Sequence, residues 1–284
     1  MEVANTIDAA RRAVKQARKQ GKGIGLVPTM GALHRGHVSL IEAAARQCEF
    51  VVVSLFVNPT QFGPGEDFNK YPRPLDQDLV ICRAHGVDLV FAPTAQEMYG
   101  RQNLTWVDVE KLTEPLCGRF RPGHFRGVAT VCAKLFNVVL PDRAFFGQKD
   151  AQQVAVIRRM VTDLDMPLEI VVCPTVREAD GLAMSSRNQY LTAQQRGQAC
   201  TIYRALKHCE DRIGQGIRDA GLLVAAVAEV LRQVPGVEIQ YVSIVDAETL
   251  QPVDPVSGEV LVAVAVKLGS TRLIDNIVVD AGHS

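Results

Sequence analysis

The sequence predicts a doubly wound, parallel α/β domain followed by a smaller α+β domain. Strand-like and helix-like segments alternate through the first 175 residues. One strand candidate, "FVVVSLFV" at 50–57, is apolar without alternation, the pattern of a strand buried on both faces of a parallel sheet. After residue 175 the order changes: two long helical patterns precede three strand-like runs.

Taken in order, residues 5–19 form an amphipathic pattern that ends near Gly21 and Gly23, and "GIGLVPT" (23–29) is a short apolar strand. Residues 36–48 place Val38, Ile41, Ala44, Ala45 and Cys48 on one helical face. The strand at 50–57 leads into a loop at 58–74, a helix at about 74–85 and the strand "DLVFAP" at 88–93. A helix at about 125–140, the strand "RAFFG" at 143–147, a helix at about 150–164 and the strand "LEIVVCP" at 168–174 complete the first domain. Such alternation implies right-handed βαβ units. Helices at about 192–213 and 218–233 then precede the strands "VEIQYVSIVD", "EVLVAVAVKLG" and "TRLIDNIVVD". The predicted domains are therefore 1–175 and 176–284.

Composition narrows the function. Lys plus Arg equals Asp plus Glu, 31 each, so no global field favours nucleic acid or an anionic membrane. The seven cysteines form no CxxC pair, which argues against both a zinc site and a disulfide framework and fits a reducing cytoplasm. The N-terminal residues have no apolar signal-like core, and apolar runs reach about eight residues against the roughly 20 needed to span a bilayer. A soluble cytoplasmic protein is expected.

The stretch "TMGALHRGHVSLIEAAA" (29–45) puts two of six histidines, His34 and His37, where a strand gives way to a helix. About 0.01 matches to His-x-Gly-His are expected by chance from this composition. Open α/β sheets bind ligands at the carboxyl ends of their strands, where helix N-termini offer free N–H groups. Neutral histidines there donate to phosphate oxygens without a fixed charge, and Gly31 and Gly36 allow close backbone approach. Arg35, between them, is expected to face solvent. A helix cap plus a surface residue is the ordinary alternative for these two histidines, and a metal pair is a third reading that no nearby third ligand supports.

Other segments are less specific by themselves. Lys149, Asp150 and Gln153, just past a strand end, suit either a phosphate contact or a capped surface helix. "AMSSRNQ" (183–189) offers hydroxyls and a guanidinium to phosphate, or is ordinary loop chemistry. The amides Asn58 and Gln61 suit a hydroxyl or carboxylate, or merely a connecting loop. Asp76 and Asp78 fit a helix start, where acidic residues satisfy the macrodipole.

His34-Arg35-Gly36-His37 resembles the "HIGH" signature of the nucleotidyltransferase superfamily. The longer "VPTMGALHRGHVSLI" (27–41) is similar to the pantoate–β-alanine ligase family within it. "FVNPTQFGPGEDFNKYPR" (56–73), "RPGHFRGVATVCAKLFN" (121–137), "PDRAFFGQKDAQQ" (141–153), "READGLAMSSRNQYL" (177–191) and "YVSIVDAETLQPV" (241–253) resemble that family's blocks in order. The resemblance implies a Rossmann-like first domain and a closing second domain. It assigns Met30, Gly31, Ala32, Leu33, His34, Arg35, Gly36 and His37 to ATP. Gly147, Gln148, Lys149, Asp150, Val176, Met184, Ser185, Ser186 and Arg187 join them. Gln61 and Gln153 are assigned to pantoate and β-alanine. The 184–187 segment resembles the "KMSKS" loop: Met184 and Ser185 match, while Ala183, Ser186 and Arg187 replace its Lys, Lys and Ser. Asp78 is matched to a magnesium position, although Gln77 and Ile81 stand where other members carry further ligands.

The implied reaction is the ATP-dependent joining of (R)-pantoate and β-alanine through pantoyl adenylate. His34, His37, Lys149, Ser185, Ser186 and Arg187 would serve the phosphates as catalytic residues, with His37 the leading proton donor, although hydrogen bonding alone would serve the same charge. A homodimer is implied as well. A cytidylyltransferase would share His-x-Gly-His but not "SSRNQ" with the Gln61/Gln153 pair. A tRNA synthetase-like protein is disfavoured by neutral charge. A nucleotide sensor would bind ATP without turnover.

Overall fold

The computed structural model describes residues 1–282; His283 and Ser284, the last of the predicted 176–284 domain, lie outside the described residues. The first domain runs β1 (Glu2–Ala4), α1 (Ile7–Lys19), β2 (Ile24–Thr29), α2 (Arg35–Gln47), β3 (Phe50–Leu55), α3 (Leu75–Ala84), β4 (Leu89–Phe91) and α4 (Ala95–Tyr99). It continues through α5 (Cys117–Phe120), α6 (His124–Val139), β5 (Arg143–Gly147), α7 (Ala151–Asp163) and β6 (Glu169–Cys173). Then come α8 (Ala193–Ala199), α9 (Thr201–Gly214), α10 (Ala220–Arg232), β7 (Val237–Asp246), β8 (Glu259–Leu268) and β9 (Thr271–Asp280).

The first six strands are all parallel, in the order β1-β4-β3-β2-β5-β6. Their side chains alternate between two layers, as a pleated strand requires. Ile24, Leu26, Val52 and Phe91 pack with α1, α6 and α7, whereas Val27, Val51, Val53, Val90 and Phe145 pack with α2 and α3. Burial on both faces explains the non-alternating run at 50–57. The chain winds outward from β2 to β3 and β4, then returns to β5 and β6 on the other side. The order therefore reverses between β2 and β5, the crevice position where open α/β sheets bind ligands.

The last three strands form an antiparallel meander, β7-β8-β9. Val260, Val262, Val264 and Val266 of β8 face α9 and α10, while Leu261 and Ala263 pack with Leu116 of the first domain. That two-sided burial is why β8 reads as nearly continuous apolar sequence. Among the described residues no helix is long and apolar enough to cross a membrane.

The structure corrects several sequence expectations. Three-residue β1 is too short to show a period, and it shifts α1 to a start after Thr6, whose hydroxyl accepts from the Ala9 N–H at 3.2 Å. The helix expected at 192–213 is two helices meeting at Cys200. On α2, Leu40 and Ala43 take the buried face and Ala45 is exposed.

Candidate active site

At the reversal point, β2 ends in the loop 30–34 and His34 caps α2. The His34 Nδ1 accepts from the Gly36 N–H at 3.1 Å, and the His37 Nδ1 accepts from the His34 N–H at 3.3 Å. Each ring uses Nδ1 as an acceptor, so each neutral ring carries its proton on Nε2. A Cβ at residue 36 would sit 2.9 Å from the His34 ring and would push that ring off its cap. The rings lie 4.1 Å apart. Burial, then nearby Lys149, lowers His34 to a pKa of about 4. Burial, then His34 and Lys149, lowers His37 to about 3. At neutral pH both are uncharged Nε2–H donors. Of the two roles open to His37, proton donor or hydrogen-bond donor, a lowered pKa favours the hydrogen bond.

Lys149 follows β5 in a tight turn, its Nζ 3.7 Å from Asp150 Oδ1. Across the cleft the Ser185 hydroxyl accepts from the Arg187 N–H at 3.2 Å and caps the turn 186–190. Ser186 Oγ lies 3.1 Å from the Tyr71 hydroxyl. The Arg187 guanidinium makes two 2.9 Å hydrogen bonds to Asp67. Gln61 accepts from Asn58 at 3.0 Å and donates to Met30 Sδ at 3.1 Å. A Cβ on Gly127 would stand 2.7 Å from the Gln61 nitrogen, so α6 runs against this turn only because residue 127 is glycine.

The cleft encloses about 220 Å³. Met30, His34, Gly36, His37, Gln61, Gly147, Lys149, Asp150, Gln153, Val176, Met184, Ser185, Ser186 and Arg187 line it. Gly31, Ala32, Leu33, Arg35, Gln148 and Asp78 stand off its wall. Arg35 is exposed, Leu33 packs under α2, and Gln148 donates to Asn276 at 3.2 Å. Asp78 is 2 % exposed, and its two oxygens accept the N–H groups of Ala32 (2.9 Å) and Leu33 (2.8 Å). Among the described residues no group of three or more His, Cys, Asp or Glu could hold a metal ion. Asp78 therefore fits a loop clamp, and the residues present do not frame a protein-held magnesium site.

Sequence reasoning missed Arg121 and His124, which line the cleft from the start of α6. The His124 Nδ1–H donates to Gln61 O at 2.8 Å, while Arg121 Nη1 donates to its Nε2 at 2.9 Å. Burial, then Arg121, lowers its pKa to about 3. Arg121 also grips Glu66 through two 2.7 Å bonds. The Arg-Pro-Gly-His string was the available signal, because a charged side chain just before a buried helix must face an opening.

The parallel fold and this cleft at its reversal point define a protein of the doubly wound α/β class with its ligand position at the carboxyl ends of the strands. A family model for pantoate-beta-alanine ligase matches residues 2–278. The pantothenate synthetase of Moorella thermoacetica is 55% identical over 280 residues, 99% of each chain. The crystal structure of pantothenate synthetase from Thermus thermophilus is 48% identical with a TM-score of 0.93, covering 98% of this chain and 99% of that one. Pantoate-beta-alanine ligase from Francisella tularensis, solved in complex with beta-gamma ATP and beta-alanine, is 34% identical with a TM-score of 0.81, covering 98% and 97%. The chain belongs to the pantoate–β-alanine ligase family, and it is a ligase.

Proposed function

We propose that this ligase joins (R)-pantoate to β-alanine in two half-reactions within the cleft, using ATP and releasing AMP and pyrophosphate. A pantoate carboxylate oxygen attacks the α-phosphorus of ATP; the new O–P bond forms as the bond to pyrophosphate breaks. The β-alanine amine then attacks the carbonyl carbon of the resulting adenylate. AMP leaves with the electron pair, and the amine gives its proton to solvent.

The observation that carries this reading is the pair of neutral Nε2–H histidines beside Lys149 at the sheet's reversal point. His34 and His37 would donate to phosphate oxygens as charge shifts toward the leaving pyrophosphate, in a preorganised dry site. Lys149 supplies the point charge, and Ser185, Ser186 and Arg187 close on the phosphates from the opposite wall. Met184 and the Val176 backbone border the adenine, next to the Gly147 turn and Asp150. Gln61 and Gln153 take the hydroxyl and carboxylate of pantoate. Magnesium would come with ATP and supply charge neutralisation; Asp78, committed to the Ala32 and Leu33 N–H groups, would not hold it. The division into domains 1–175 and 176–284 belongs to the same reading, the second shielding the anhydride from water. So do a cytoplasmic location and a homodimer.

The test is to supply ATP and Mg²⁺ with and without each substrate and identify the products. Pyrophosphate released with pantoate alone, then AMP and pantothenate once β-alanine is added, is the expected result. ADP would mean phosphoryl transfer and overturn the mechanism, and binding without turnover would mean a sensor.

A further inference from the structure

Two adjacent residues of β9, Asp275 and Asn276, are polar yet only 3 % and 4 % exposed. Burying such groups is costly unless each finds partners, so the partners reveal what the burial is for. The Asn276 side-chain amide donates to the backbone oxygens of Gln148 (3.1 Å) and Lys149 (2.9 Å), and its Oδ1 accepts from Gln148 Nε2 at 3.2 Å. Both donors and the acceptor of one second-domain amide are thus committed to the turn that carries Lys149.

Asp275 reaches the other wall of the cleft. Its carboxylate takes two bonds from Arg177, at 2.6 and 3.0 Å, and Arg177 also donates to Gly181 O at 3.1 Å and lies 3.9 Å over the Tyr203 ring. Arg177 bridges to Ala183 across the small hairpin that delivers Met184 through Arg187. The same two residues therefore hold both loops that face the cleft from opposite sides.

We propose that Asn276 is a positioning residue, which together with Asp275 sets the spacing between Lys149 and the 185–187 turn. The assignment rests on the reading of Lys149 as a phosphate contact. Asn276 never touches the cleft; it acts through the two carbonyls it holds. Losing them lets the turn shift, and misplacement by about 1 Å lowers the chemical rate about a hundredfold.

The test uses full-length Asn276→Asp, Lys149→Ala and the double variant, reading pantoate-dependent pyrophosphate release, KM for ATP and Tm. An ionised aspartate keeps the shape but can only accept, so it cannot hold the two carbonyls. Asn276→Asp is expected to lower kcat about ten- to hundredfold, with KM for ATP changing less than kcat. In the Lys149→Ala background it should add less than about twofold, because the group it positions is gone. If Asn276→Asp misfolds, Asn276→Ser keeps one donor and should show a smaller kcat loss with the same non-additivity. A silent Asn276 variant, a rate loss that tracks only the unfolded fraction, or effects that multiply in the double variant overturns the positioning role alone. A Lys149→Ala enzyme with the unmodified rate overturns the phosphate reading, and this inference with it.

Discussion

Ala32 holds a left-handed φ of 51°, a conformation that costs a residue with a Cβ roughly 1–2 kcal/mol. The Asp78 carboxylate offsets that cost by accepting the N–H groups of Ala32 and Leu33 from 46 and 45 residues away. Burial raises the Asp78 pKa and the two N–H groups oppose that rise. The loop it shapes leads directly to His34. A sequence reader sees an acid in the first turn of α3 and thinks of the helix dipole or a cation, because the partner backbone is distant in the chain. The two roles separate experimentally. Asp78→Ala should raise KM for ATP about tenfold, as expected when two buried donors lose their acceptor, without changing the Mg²⁺ concentration that gives half-maximal activity. A magnesium requirement that rises several-fold would return Asp78 to the metal. Asp78→Asn, which keeps one acceptor, should fall between wild type and alanine.

The segment 58–74 behaves as a strap whose successive acids reach opposite walls. Glu66 pairs with Arg121 and Asp67 with Arg187, and Tyr190 donates to the Lys70 carbonyl at 3.2 Å. Burial works against ionisation of Glu66, but Arg121 outweighs it and holds the carboxyl below its usual range. Phosphate approaching Arg187 must compete with Asp67 for the same guanidinium face. Asp67→Asn should therefore tighten ATP binding about fivefold, the scale of a partly exposed ion pair, and should expose the strap to faster proteolysis. Isothermal titration with a non-hydrolysable ATP analogue checks the sign: weaker binding would mean that Asp67 aims Arg187 rather than masks it. Legibility in the sequence followed contact range. The placing of His34 and His37 where a strand gives way to a helix was readable because the two lie three residues apart, although their mutual cap was not the reading chosen, and β3 was readable because double burial leaves a local composition. The strap's partners lie 55 and 120 residues away, and the Asn276 contacts 127 and 128, so no local pattern could announce them.

At the scale of the whole molecule, three cleft histidines are folded in their neutral form. Their pKa values of about 4 (His34), 3 (His37) and 3 (His124) lie well below the roughly 6.5 of an unfolded chain. The sign follows from proton counting. Above pH 6.5 neither state binds these protons and stability is unaffected; below it the unfolded chain takes up protons that the native rings refuse. Stability should then fall as pH drops from about 6.5 toward about 4, by up to about 1.4 kcal/mol per pH unit for each histidine. Carboxylates such as Glu66, held below their usual range, add to the loss only at lower pH. Urea unfolding of the wild type and of His37→Asn at pH 7.5, 6.5 and 5.5 isolates one ring. Between the two lower values the wild type should lose about 1 kcal/mol more than the variant, since asparagine takes up no proton on unfolding. Equal losses would mean that His37 titrates near its unfolded value in the native protein. Its Nε2–H would then still donate at neutral pH, but the ring would become a charged imidazolium below about pH 6.5.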